Sequence, residues 1–241
     1  MHFLAVAADY DGTLAHHGRV DDATVAALQR VRDSGRHLVL VTGRQMPSLL
    51  RTFHRVALFD LVVAENGGLL YEPRSGRERA IAEPPPEPLV SALQEAGVAP
   101  LSVGRVVVST VEPHEVVALE AIRRLGLGHK VVFNKGAVML LPAGVDKAAG
   151  LAEGLRELGL VEPERVVAIG DAENDHALLQ QCGFGVAVAN ALPALKERAD
   201  YVTRGERGAG VAELVDLLLA DDLRGLRRVA SPAPASVSEP S

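Results

Sequence analysis

The sequence predicts an α/β protein, a Rossmann-like parallel sheet flanked by helices and interrupted by a small α+β insert, on three observations. The run at 3–8 is apolar without alternation and stops at Asp9, the pattern of a strand buried on both faces of a parallel sheet. Strand-like apolar runs alternate with helix-spaced segments before residue 82 and again from residue 146. Between them, EPPPEP at 83–88 has too few amide donors to continue a sheet interior or a helix and reads as a boundary. The expected division is a core of 1–82 and 143–222, an insert of 83–142, and a tail of 223–241.

After the first strand, Val25, Leu28 and Val31 lie at helical spacing within 21–34, and Gly35 stops that helix before a strand at 37–41. Met46, Leu49 and Leu50 mark a further short helix. A strand at 61–64 runs into Glu65-Asn66-Gly67-Gly68, which suits a tight turn into a hairpin of 69–71 with 79–82. The insert reads as a helix near 89–96, a strand at 103–110, a helix at 113–125 and short strands at 130–134 and 137–141. Alternation then resumes: helix 146–158, strand 166–169, helix 174–181, strand 184–187, helix 193–198, strand 201–202 and helix 211–220. The Ser/Pro/Ala-rich end at 230–241 has little to bury and is expected to be a mobile tail.

Composition narrows the function. At 241 residues the chain holds one full-sized domain with a smaller companion. Aromatics are 3% and Trp is absent, so Val, Leu, Ala and Ile must build the core and a large aromatic binding platform is not expected. A formal net charge of −6 with no Lys/Arg block argues against nucleic acid as the main partner. No apolar run is long enough to span a membrane, and the start lacks a secretory pattern. Cys182, the single cysteine, reads as a small buried filler, and a cytoplasmic setting is expected.

Polar residues gather where predicted parallel strands end, the edge at which open α/β sheets collect ligands. Asp9 and Asp11 flank Tyr10 and precede Gly12, so two carboxylates can face one space and take different roles, one ionised and one a proton donor. Asp171 and Asp175 follow the strand at 166–169 and share a face at four-residue spacing. Oxygen donors without a His or Cys set point to Mg²⁺ rather than zinc. Thr42 and Gly43 offer a hydroxyl and close backbone amides to phosphate, while Arg44 serves either a further contact or an internal ion pair. Lys147 opens a helix, where the macrodipole disfavours it unless an anion pairs with it. Each has a plainer reading: Asp11-Gly12 as an ordinary turn, Asp171 as an N-cap with Asp175 on the surface, Lys147 as solvated. His16 and His17 are adjacent rather than helix-spaced and read as loop. No P-loop, dinucleotide fingerprint or serine elbow is present.

Taken together, DYDGTLA at 9–15, VTGR at 41–44, DK at 146–147 and GDAENDHALL at 170–179 resemble, in order, the four motifs of haloacid dehalogenase superfamily phosphatases. The likeness runs from 5 to 219. The insert's position between the second and third motifs, ENGG at 65–68 and GVAVANALPALKERADYVT at 185–203 are similar to the Cof-type branch with a type IIB cap, and to its small-cap phosphoglycolate and sucrose-phosphate phosphatases. The resemblance implies Asp9 as nucleophile, Asp11 as acid then base, Thr42, Gly43, Lys147 and Asn174 on phosphate, and Asp9, Asp11, Asp171 and Asp175 on Mg²⁺. The insert is expected to close over the crevice as a cap, and its Arg105, His114, Asn134 and Lys135, together with Arg44, are candidate substrate contacts. The expected partner is a small phosphorylated metabolite, in a monomer or homodimer. A phosphosugar mutase, a phosphoacceptor module and a noncatalytic metabolite-binding protein stand as alternatives.

Overall fold

The computed structural model describes residues 1–226. Its larger sheet has eight strands: β1 (Ala5–Asp9), β2 (His37–Val41), β3 (Leu61–Ala64), β4 (Leu69–Glu72), β5 (Arg77–Ala80), β10 (Val166–Gly170), β11 (Phe184–Ala187) and β12 (Tyr201–Val202). The order is β12-β11-β10-β1-β2-β3-β4-β5, parallel from β12 to β3 and closed at one edge by the antiparallel hairpin. All five residues of β1 are buried, as its unbroken apolar run requires. The helices are α1 (Asp22–Asp33), α2 (Met46–Thr52), α5 (Lys147–Glu157), α6 (His176–Gln181), α7 (Pro193–Lys196) and α8 (Arg207–Asp221). α1 packs on α8, and α5 packs on α6 and on the β3 end of the sheet.

The insert forms its own antiparallel sheet, order β6-β7-β9-β8, from β6 (Ser102–Val103), β7 (Val108–Val111), β8 (His129–Asn134) and β9 (Ala137–Pro142). Helices α3 (Glu87–Glu95) and α4 (Glu115–Arg124) cover it, burying Leu89, Leu93, Ala118 and Ile122 against Val108 and Leu140. Its core is separate from the one around the large sheet.

Four local readings change. The strand expected at 103–110 is two short antiparallel strands, with Ser102 opposite Ser109, because the amides of 105–107 turn to the buried Glu65 carboxylate instead of a ladder. The strand expected at 79–82 lies at Arg77–Ala80, since Gly76 at φ 71° closes the turn immediately before it. The last helix begins at Arg207 rather than 211. Gly208 and Gly210 lie in its first turn, where a Cβ would fall 1.9 Å from Thr24 Oγ1 or 2.4 Å from Thr203 Oγ1, so they are packing glycines. Leu223, expected to begin the tail, is 4% exposed and joins the core, while 230–241 lies outside the described residues.

Gly150 sets how closely α5 approaches the sheet. Alanine there would gain about 1 kcal/mol of helix propensity, but its Cβ would sit 2.5 Å from Gly67 Cα and 2.6 Å from Gly67 O. Backbone cannot rotate aside, so overpacking wins: Gly150→Ala is expected to lower the unfolding free energy by about 2 kcal/mol in urea titration.

Candidate active site

Strands β1, β2 and β10 are neighbours in the sheet, and their carboxyl ends release Asp9, Thr42 and Asp171 onto one edge. Asp146 caps α5 by accepting from the Ala149 amide (2.9 Å), which starts the helix at Lys147 beside that edge. Lys147 is 1% exposed, and its ammonium donates to Asp9 Oδ1 and Asp175 Oδ1, both at 2.6 Å. The second Asp175 oxygen accepts from the Asp171 and Ala172 amides (2.9 and 3.0 Å), which fixes the loop after β10. Gly170 makes that loop possible, since a Cβ would sit 2.6 Å from Asp175 Cγ.

Ligand oxygens of Asp9, Asp171 and Asp175 lie within 4.8 Å of one another, all buried. Burial pushes the Asp9 carboxyl up to about 7, with Lys147 opposing and the neighbouring carboxylates reinforcing the rise. Asp171 is also raised, first by burial, against the pull of Lys135. Burial alone would lower Lys147, but Asp175 and Asp9 outweigh it and hold the ammonium charged. The donors are all oxygen, the chemistry of a hard divalent cation.

A second ammonium answers the same charge. Lys135, in the β8–β9 turn at φ 51°, donates to the Asp11 carbonyl oxygen and to Asp171 Oδ2 (2.7 Å). It stands in for a cation between two of the oxygens expected to hold one, so the donor set fits a positive ion at this point. Gly12 suits this point: its φ is 91°, and a Cβ would fall 2.3 Å from Oδ2 and 2.9 Å from Cγ of the buried Asp171.

Other expected residues divide. Arg44 is an internal partner, gripping Asp11 through Nε (2.6 Å) and Nη2 (2.8 Å). The buried Thr42 hydroxyl accepts from the Arg44 amide (3.1 Å), and Gly43 lines the crevice beside Met139. Asn174 donates to Asn66 Oδ1 (2.9 Å), leaving its own buried Oδ1 without a hydrogen-bond partner. Asn134 and Lys135 line a cavity of about 490 Å³ with Asp11, Arg44, Ser102 and Ser109. Arg105 and His114 do not line it: Arg105 pairs with Glu78 (3.2 Å), and His114 Nε2 lies 3.0 Å from Ala99 O.

Thr13 and Asn190 escaped residue-by-residue reading, and 65–66 was read only as a turn. Thr13 Oγ1 reaches Asp171 Oδ1 at 3.4 Å, and Asn190 joins the Gly12 carbonyl (2.9 Å) to the Arg207 amide (2.8 Å). Only the DGT and ENGG sequences hinted at two of these, and neither said what the side chains would meet.

The family described as haloacid dehalogenase-like hydrolase matches residues 6–95 and 113–215. A phosphoglycolate phosphatase of Methanothermobacter thermautotrophicus is 35% identical over 88% of this chain and 96% of its own. Phosphoglycolate phosphatase 2 of Saccharolobus solfataricus is 32% identical over 90% and 93%. Among solved structures, a haloacid dehalogenase-like hydrolase from Bacteroides thetaiotaomicron shares the fold with a TM-score of 0.78 at 22% identity, covering 90% of this chain and 99% of that one. No helix among the described residues is long and apolar enough to cross a membrane.

The raised Asp9 makes a signed prediction. In metal-free protein the folded chain keeps a proton on Asp9 up to about pH 7, whereas the ordinary value is 3.8. The stabilisation is therefore complete below the unfolded value and is lost as pH rises through the folded one. With chelator present, the melting temperature is expected to fall between about pH 4 and about pH 7, and less steeply in Asp9→Asn.

Proposed function

The chain belongs to the haloacid dehalogenase-like hydrolases and is a phosphatase. We propose that it hydrolyses a small phosphorylated acid of the phosphoglycolate kind, by way of an aspartyl-phosphate on Asp9. The observation that carries this reading is the buried triangle of Asp9, Lys147 and Asp175, with Asp171 beside it, at the end of the central strand. The named activity of the relatives and the size of the crevice support the substrate class: about 490 Å³, lined by hydroxyls with the cations of Arg44 and Lys135.

In this reading the Asp9 carboxylate attacks phosphorus, forming the acyl phosphate as the bond to the leaving oxygen breaks. Asp11 gives that oxygen its proton, then takes one from the water that attacks phosphorus, so that Asp9 and inorganic phosphate are restored. Lys147 holds Asp9 in line through its 2.6 Å bond and adds positive charge next to the phosphoryl oxygens. Thr42 and the amides that follow it would receive those oxygens. Asp9, Asp171 and the Asp11 carbonyl, with Asp175 behind them, would hold Mg²⁺, which when bound offsets the clustered carboxylates and attracts phosphate. Lys135 lines the crevice, and once released from the Asp11 and Asp171 oxygens its charge would select an anionic leaving group.

The segment 83–142 acts as the cap, 1–82 with 143–222 as the catalytic core, and the cytoplasmic setting expected from the sequence belongs to the same proposal. A panel of phosphoglycolate, hexose phosphates and small phosphorylated acids tests the substrate class. Phosphoglycolate is expected to give the highest kcat/KM, and exhaustive chelation is expected to stop turnover until Mg²⁺ is returned. Asp9→Asn is expected to lose at least about 1,000-fold in kcat with an unchanged circular dichroism spectrum; substantial turnover by that variant removes the nucleophile assignment.

A further inference from the structure

We propose that Glu65 is a positioning residue: a buried core carboxylate that seats the insert on the catalytic edge by capping three successive amides of its 104–107 turn. Glu65 is 1% exposed and sits directly after β3. Its Oε1 accepts from the Arg105 amide (3.0 Å) and its Oε2 from the Val106 and Val107 amides (2.8 and 3.1 Å). Three neighbouring N–H groups aimed at one point form an anion-binding concavity, and here the anion comes from the other sheet's side of the crevice. Both surfaces are cut to admit it. A Cβ on Gly104 would lie 2.6 Å from both carboxylate oxygens, and one on Gly68 would lie 2.8 Å from Val106 Cβ.

The other end of the Glu65 turn leads to the chemistry. The Glu65 amide donates to Arg44 O (3.0 Å) and the Asn66 amide to Thr42 O (2.9 Å). Asn66 Oδ1 accepts from Asn174, and Gly67 lies so close to Asp146 that a Cβ would come within 1.9 Å of its carbonyl oxygen. One turn therefore touches the loops that carry Thr42, Lys147 and Asn174, while its carboxylate holds the insert. On the insert, the captured turn continues into β7, which pairs with β9, whose other partner β8 ends at the Lys135 turn. The position of Lys135 over Asp11 and Asp171 is thus set through Glu65. Hydrogen bonds to an ionised acceptor are stronger than neutral ones, which makes a carboxylate a firmer seat than an amide side chain.

The kinetic half of the test rests on the phosphatase reading; the exchange half does not. In Glu65→Gln, amide hydrogen exchange at 105–107 is expected to quicken by at least about tenfold while exchange in β1 and β10 is unchanged. KM for 2-phosphoglycolate is expected to rise about tenfold with kcat nearly preserved, whereas kcat/KM for p-nitrophenyl phosphate, which needs no fitted lid, changes less than about threefold. Gly104→Ala presses on the same carboxylate from the insert side and is expected to reproduce both effects; it decides the matter if Glu65→Gln does not fold. Unchanged exchange at 105–107 overturns the proposal, and so does an equal fall for both substrates, the mark of a merely structural role. If the wild type leaves 2-phosphoglycolate untouched, the substrate reading fails and the exchange result still decides for or against Glu65.

Discussion

Three carboxylates buried at one sheet edge repel each other, and the surrounding structure is organised around holding them there. Lys147 is the main device: one ammonium bridges Asp9 and Asp175, both at 2.6 Å, with almost no access to water. Removing one partner of such a buried pair typically costs about 3–5 kcal/mol, because the other charge is left unpaired. The helix that carries Lys147 pays no regard to its own dipole at that position; the adjacent carboxylates decide the matter. Backbone amides complete the arrangement by taking the second oxygen of Asp175.

The same charge excess reaches across to the insert. Lys135 places a second ammonium on the Asp11 carbonyl and Asp171, so insert and core are drawn together at the point where a phosphoryl group would enter. Arg44 meanwhile orients Asp11 with two parallel bonds and lies 5.2 Å over the Tyr10 ring, whose hydroxyl donates to Gly18 O. Positive groups thus approach the acidic edge from three elements.

Much of the core was legible because its signals are local. An unbroken apolar run marks β1, and Asp9 must follow where that run ends; the same logic locates Thr42 after β2 and Asp171 after β10. The start of α8 was less legible: Gly208 and Gly210 lie inside it, packed against Thr24 and Thr203. The 103–110 run is apolar enough for one strand, and nothing within it announces that its amides will be claimed by a carboxylate some forty residues earlier.

Periodicity, strand ends and four ordered motifs determined the α/β architecture and the residue types available for chemistry, since each depends on neighbours in the chain. Only the tertiary structure decided which of those residues meet: Lys147 with Asp9 and Asp175, Lys135 with Asp171, Arg44 with Asp11, and Glu65 with the insert, while Arg105 and His114 turn elsewhere. Electrostatic pairing acts through space over a few ångströms, and the sheet order that brings β10 beside β1 is not written in any local segment.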